Sequence, residues 1–276
     1  MANKHPPSAG AVDPAIIADL AAAARILAAR GVVDGFGHVS MRHPTAPDRY
    51  LMAKSLAPAL VKPADIIEYT LDSDPCEDRG RGSFLERFIH GEIYKMRPDV
   101  NAVVHSHSPS VIPFGLIKNQ MKAMFHNAAF LAKGVPVFDI RQSFGMTDML
   151  VCDCAKGLAL AETLEDKHVA LMRAHGSVAT GDSLQTAVFR AVYTEVNARI
   201  QLSAISIAEN GGIDALEQEE GILADEINKT AGMISMGSGR MKNSAVVATI
   251  QIIENAKIQG LRRPPRSATA PKKGAS

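Results

Sequence analysis

Between residues 14 and 205 the chain alternates short apolar runs of strand length with longer runs of helical period. That alternation restricts it to an α/β fold. Asp13-Pro14 reads as a helix N-cap with proline at the first helical position. Ile16, Ile17, Leu20, Ala24 and Leu27 follow at helical spacing, and Gly31 ends the run. The glycine turn of GFGHVSMR leads into a strand. RYLMA, IIEYTLD, NAVVH, VPVFDI and HVALMRAHG read as further strands. FLERFIHGEIYKM (84–96), SVIPFGLIK, MLVCDCAKGLALAETL after Thr147-Asp148, and SLQTAVFRAVYTEVNARIQLSAISIAE read as helices. Residues 210–260 read as a polar helix, a glycine-rich loop GMISMGSGRM and one more helix. The expectation is a single α/β domain over 13–260, its helices covering a mainly buried sheet. It is flanked by a flexible polar stretch, 1–12, and a disordered basic tail, 261–276.

Composition limits what such a domain does. Its 276 residues suffice for a sizeable core, and its formal net charge of +1 gives no broad electrostatic case for nucleic acid or an anionic membrane. The early apolar stretch AIIADLAAAARILAARG is interrupted by Asp19 and Arg25, so no membrane span is expected. The N-terminus lacks an apolar signal region, which makes the cytoplasm the expected compartment. Cys76, Cys152 and Cys154 are too sparse for a disulfide framework or a thiolate zinc site.

The residues that bear chemistry sit at strand ends. In NAVVHSHSP, alternation points His105 and His107 the same way, with Ser106 opposite and Pro109 closing the strand. Two convergent imidazoles suit Zn²⁺, Mn²⁺, Fe²⁺ or Co²⁺. The pair alone is equally served by one buried, hydrogen-bonded histidine and one exposed one. VALMRAHG ends a second apolar strand on His175-Gly176. Three strand-end histidines can supply three ligands and leave positions open for substrate.

These residues carry a resemblance. GHVSMR, LERFIHGEIYKMRPDVNAVVHSHSP and RAHGSV resemble the class II aldolase/adducin family, fuculose-1-phosphate aldolase and its relatives, across about residues 14–205. The resemblance implies a three-layer α/β/α sandwich with a mainly antiparallel or mixed sheet. It also implies homotetramers with active sites between subunits. One divalent metal per subunit would be held by His105, His107 and His175, with Zn²⁺ or Mn²⁺ ahead of Fe²⁺ or Co²⁺, and Glu86 would be the catalytic glutamate.

The departures from the sugar-phosphate aldolases are as informative. His38 stands where those enzymes have a phosphate-holding asparagine. Ser55-Leu56 replaces Thr-Gly, and Phe84-Leu85 replaces a serine pair. Phosphate needs hydroxyls and small residues that permit close approach, and Leu56, Phe84 and Leu85 remove much of that. An aldolase tyrosine borrowed across the subunit interface corresponds to His126. FHNAAFLAKGVPVFDIR and SLAPALV are similar to a decarboxylase branch of the family, which includes dihydroxyphthalate and hydroxymethylpyridine-dicarboxylate decarboxylases.

The expected activity is therefore metal-dependent decarboxylation of a hydroxy-substituted aromatic or heteroaromatic acid. Glu86 and His126 are assigned to catalysis. His38, Ser40, Arg42, Ser55 and Phe84 are assigned to substrate binding. His90, one turn from Glu86, is assigned to the core or to a supporting shell. Three other readings use the same scaffold: aldol cleavage of a non-phosphorylated hydroxy-ketoacid, oxygenation of a phenolic substrate on iron, and an adducin-like interaction domain. The last has no need of three histidines and Glu86.

Overall fold

A computed structural model describes residues 5–77, 82–118, 120–208 and 212–235. The strands are β1 (His38–Arg42), β2 (Arg49–Ala53), β3 (Ile66–Thr70), β4 (Ala102–Ser106), β5 (Val137–Phe138), β6 (Val169–Met172) and β7 (Gly176–Gly181). They make one seven-stranded sheet ordered β3-β2-β1-β4-β7-β6-β5. Each pairing is antiparallel except β5 with β6, which is parallel. The helices are α1 (Pro14–Ala29), α2 (Phe88–Met96), α3 (Arg141–Phe144), α4 (Cys154–Leu164), α5 (Leu184–Ile207) and α6 (Gln218–Ser235).

The period-2 pattern divides the core in two. Leu51, Val39 and Val104 join Leu20 and Leu27 of α1 and Val188 of α5 in one apolar cluster. Tyr50, Met52 and Val103, their neighbours in sequence, join Ile89 and Ile93 of α2 and Leu160 of α4 in the other. The sheet is thus the middle layer of the expected α/β/α sandwich. No helix among the described residues is long and apolar enough to cross a membrane.

α1 begins and ends as its sequence dictates. Asp13 accepts a hydrogen bond from the Ala15 N–H at 2.8 Å, with Pro14 behind it. Gly31 turns with φ +70°, so that its own N–H reaches Ala28 and the Val32 N–H reaches Leu27.

Four elements differ from the sequence pattern, each for a local reason. The run 84–96 is not one helix: Leu85–Arg87 form a separate 3₁₀ turn, Glu86 departs from helical angles (φ −91°, ψ 20°), and α2 starts at Phe88. α4 starts at Cys154, not after Asp148, because Asp153 caps it by accepting from the Lys156 N–H at 2.9 Å. SVIPFGLIK yields only the 3₁₀ turn Ile112–Gly115. Strand β7 carries few apolar residues and follows a tight turn at Arg173–His175, so periodicity passes it over. Gly176 is required there: a Cβ would lie 2.0 Å from the Ser106 carbonyl oxygen of β4.

At the N-terminal end, Ser8 and the Ala9 N–H hydrogen-bond the Glu68 carboxylate at 2.5 and 2.8 Å. The first residues of the expected glycine-rich loop, 232–235, belong to α6. The rest of that loop, the helix expected after it and the tail 261–276 lie outside the described residues.

Candidate metal centre

β1, β4 and the β6–β7 turn all bring histidines to one end of the sheet. His38 sits directly opposite His105 in the β1–β4 pair. His107 extends the same face just beyond β4, and His175 arrives from the turn before β7. The break between Leu85–Arg87 and α2 turns Glu86 into the same space. Nε2 of His105 lies 3.0 Å from Nε2 of His107, which lies 3.2 Å from Nε2 of His175. Glu86 Oε2 is 3.5 Å from His105 Nε2 and 3.2 Å from His175 Nε2. A tetrahedral zinc site with bonds of about 2.1 Å places its donors roughly 3.4 Å apart, so these four donor atoms already have the spacing of a ligand shell.

The other ring nitrogen of each histidine explains why Nε2 faces inward. Nδ1 of His105 lies 3.2 Å from the Ser177 carbonyl, Nδ1 of His175 lies 3.1 Å from the Met149 carbonyl, and Nδ1 of His107 lies 3.3 Å from Asp34 Oδ1. Each partner is an acceptor, so each ring keeps a proton on Nδ1, and in its neutral form it presents the Nε2 lone pair to the common point. Nitrogens held 3 Å apart in this way repel unless a proton or a metal ion lies between them. A divalent ion fits this donor set. Glu86 is held in the same manner: Oε1 accepts the Val151 N–H at 3.0 Å, leaving Oε2 to the cluster.

Electrostatics agree with the geometry. Burial pushes the Glu86 carboxyl up, but hydrogen bonds to His105 and His175 outweigh it and hold the group below the usual carboxylate range. Burial pushes His107 down, with His105 adding to it. Burial also lowers His175, but its contact with Glu86 wins and the net direction is up. Asp34 is exposed, and although partial desolvation raises it, the Phe36 N–H, His107 and the Gly37 N–H bring it below its usual value.

The other expected site residues divide. His38 is buried beside the cluster, its ring 5.1 Å from that of His105 and 4.6 Å from that of Phe84. Burial, then the neighbouring His90 and His105, hold it well below the usual imidazole range. Phe84 and Leu56 wall the same pocket as His38, whereas Leu85 is 63 % exposed. Ser55 is exposed, its N–H bonded to the Gly82 carbonyl. Ser40 is fully buried and bonded to His90 and Tyr94. Arg42, assigned to the substrate, is instead engaged by the carbonyls of Pro47, Tyr94, Arg97 and Val100, two of them at the C-terminal end of α2. It stands four residues along β1 from His38, about 13 Å away at strand rise. His126 is exposed at the start of a 3₁₀ helix, His126–Lys133, and is not among the cluster's donors.

Sequence reading missed Asp34, the carbonyls of Met149 and Ser177, and the Val151 N–H. Only Asp34 had a sequence signal. DGFG is an Asx turn in which Asp34 Oδ1 also accepts the Phe36 and Gly37 N–H groups. A second acidic group, Asp72, Glu92 and Cys154, is already occupied by Lys95, whose Nζ lies 2.6 Å from both carboxylates.

Comparison with known proteins gives this geometry its context. The family model "Class II Aldolase and Adducin N-terminal domain" matches residues 18–202. The chain is 35 % identical over 196 residues to Decarboxylase tropJ of Talaromyces stipitatus, covering 66 % of this chain and 74 % of that protein. It is 30 % identical over 201 residues to the 3,4-dihydroxyphthalate decarboxylase of Rhodococcus jostii, covering 68 % and 79 %. Among solved structures, L-fuculose 1-phosphate aldolase from Glaciozyma antarctica superposes with a TM-score of 0.66 at 20 % identity, over 93 % of this chain and 97 % of that one. At that identity the likeness speaks for the fold.

Proposed function

The chain belongs to the class II aldolase and adducin family, near its decarboxylases, and from that premise we propose that it is a metal-dependent decarboxylase. Its substrate is an aromatic or heteroaromatic acid bearing a hydroxyl beside the carboxylate that is lost. The observation that carries the reading is the shell of three imidazole lone pairs and one carboxylate oxygen, each fixed by a partner behind it.

His105, His107 and His175 would hold the ion, with Glu86 beside them. A divalent ion there supplies Lewis acidity to the substrate's oxygens and a template for its orientation. Glu86 Oε2, ionised at rest, takes the proton that the substrate's hydroxyl gives up and passes it to the carboxyl-bearing ring carbon, while Oε1 stays on the Val151 N–H. That carbon becomes tetrahedral, its bond to the carboxylate breaks, CO₂ leaves, and the electron pair returns to the ring and its hydroxyl oxygen as the aromatic system reforms. Phe84 and Leu56 supply flat apolar wall. The exposed Phe36, Met146 and Met149 belong to the loops that carry His38 and the Met149 carbonyl. This surrounding favours a planar aromatic acid over a sugar phosphate.

The same reading makes the protein a homotetramer with sites between subunits. His126, absent from its own chain's cluster, then acts from a neighbouring copy. Metal analysis of protein purified without chelator, followed by CO₂ release from a panel of ortho-hydroxy aromatic dicarboxylates, tests the whole. Stoichiometric divalent metal and CO₂ release abolished in His107→Ala are expected. Metal-free protein, or activity unchanged in His107→Ala, overturns the proposal.

A further inference from the structure

Behind the cluster lies a second set of polar groups that the chemistry above does not use. His38 and Ser40, at i and i+2 on β1, face α2, which sets His90 and Tyr94 against them one turn apart. His38 Nδ1 lies 2.6 Å from His90 Nε2, His90 Nδ1 lies 2.6 Å from Ser40 Oγ, and Ser40 Oγ lies 2.7 Å from the Tyr94 hydroxyl. All four side chains are at most 3 % exposed.

Each of these short contacts contains one proton, and each imidazole, being neutral, carries one. Both rings are buried in the core, where a second proton on an imidazole is costly. The protons therefore all run one way. In one state Tyr94 donates to Ser40, Ser40 to His90 Nδ1, and His90 Nε2–H to His38 Nδ1, which leaves the His38 proton on Nε2. In the reverse state Ser40 donates to Tyr94, and the phenol proton needs another acceptor. Among the described residues none stands at that hydroxyl, and the Val103 N–H approaches the phenol oxygen as a further donor. An unmade buried O–H bond disfavours the reverse state by about tenfold or more.

We propose that Ser40 and His90, with Tyr94 donating behind them, fix His38 as a neutral imidazole with its proton on Nε2, so that His38 is a hydrogen-bond donor to a carboxylate oxygen of the substrate and not a base. Tyr94, Ser40 and His90 are positioning residues. The substrate part rests on the decarboxylase reading; the proton's position does not. A neutral donor suits a site that already gathers a metal and three imidazoles, because it grips an anion without adding charge.

Nitrogen-15 spectra of the full, Zn²⁺-loaded chain read the proton directly, with His38→Gln identifying the His38 signals. The expected spectrum has a protonated Nε2 and a bare Nδ1 at His38. His90→Leu, which removes the donor to His38 Nδ1, is expected to mix the two forms and to raise KM for the acid about tenfold with a smaller change in kcat, whereas Tyr94→Phe, which leaves Ser40 to donate to His90, keeps the wild-type form. His38→Gln, which keeps a donor but no base, is expected to retain far more activity than His38→Ala. A wild-type His38 protonated on Nδ1 overturns the proposal. So does a His90→Leu protein with unchanged spectrum and KM, or a His38→Gln enzyme as inactive as His38→Ala. The spectrum is read without substrate, so it reports the position of the His38 proton even where the decarboxylase reading fails.

Discussion

The two ends of β1 bury polar side chains under opposite rules. At the Arg42 end the protein satisfies them itself: one guanidinium reaches four carbonyl oxygens and lies 4.8 Å from the centre of the Tyr94 ring. At the His38 end, Nε2 of His105, His107 and His175 converge with nothing of the protein's own between them. Buried polar groups in folded proteins are normally paired with backbone, and titratable donors gathered instead on one another at a single point are the arrangement a ligand site needs. The contrast separates structure from function more sharply than residue type does, since arginine and histidine are equally plausible site residues by chemistry.

Removing one group from each end puts that contrast to its strongest test. His107→Ala should abolish stoichiometric metal and lower turnover by at least about 10³-fold, the scale of losing one member of a group that acts as a unit. It should cost little in thermal stability when both proteins are compared free of metal. Arg42→Ala should do the reverse. It leaves four carbonyls short of a donor and should cost about 3 kcal/mol in denaturant unfolding, with metal content intact. Metal lost from a folded Arg42→Ala protein, or a His107→Ala protein that fails to fold, would erase the distinction.

A finer cut goes through the groups behind the ligands. Asp34 lies behind His107 and also organises the turn that leads to β1. Asp34→Asn keeps the turn acceptor but removes the charge, and it should weaken metal affinity about 10- to 100-fold in a chelator competition. Equal affinity in the variant would mean that His107 needs no support.

How much of this is legible in the sequence follows the same division. The α/β class with helices covering a buried sheet, α1 with its cap, and the convergence of His105 and His107 are local properties of periodicity and alternation, so the sequence carries them openly, whereas the three-layer arrangement comes with the family resemblance. His175 and Glu86 need the family resemblance, because nothing local says that a turn after β6 and a break before α2 meet at the end of β4. Arg42 suits a substrate by residue type, as an arginine two residues beyond Ser40 on a histidine-bearing strand. Only the fold shows that the C-terminal carbonyls of α2 lie against it. The backbone acceptors of Met149 and Ser177 have no side-chain signature at all. That of Met149 depends on α4 starting at Cys154, which leaves 145–152 as a loop that reaches His175, and that of Ser177 on the pairing of β7 with β4.

The smallest expected effect comes from pH. His175 is raised from its usual value of 6.5, because its contact with Glu86 outweighs burial. A raised folded value means that this pair stabilises the metal-free chain fully below about pH 6.5, and that the contribution is lost as pH rises through the folded value. Glu86, shifted down, contributes from above its unfolded value near 4.3 and loses that only as pH falls further. Metal must displace the His175 proton, so its affinity should climb by about tenfold per pH unit from about pH 6 until the folded value is passed, then level off. Titration calorimetry in buffers of different ionisation enthalpy should register about one proton released at the lower pH. The Arg42 guanidinium does not change charge in this range. The stability deficit of Arg42→Ala should therefore stay flat while metal affinity moves. An affinity independent of pH between about 6 and 8 would remove His175 from the ligand set and leave the cluster with two histidines and a carboxylate.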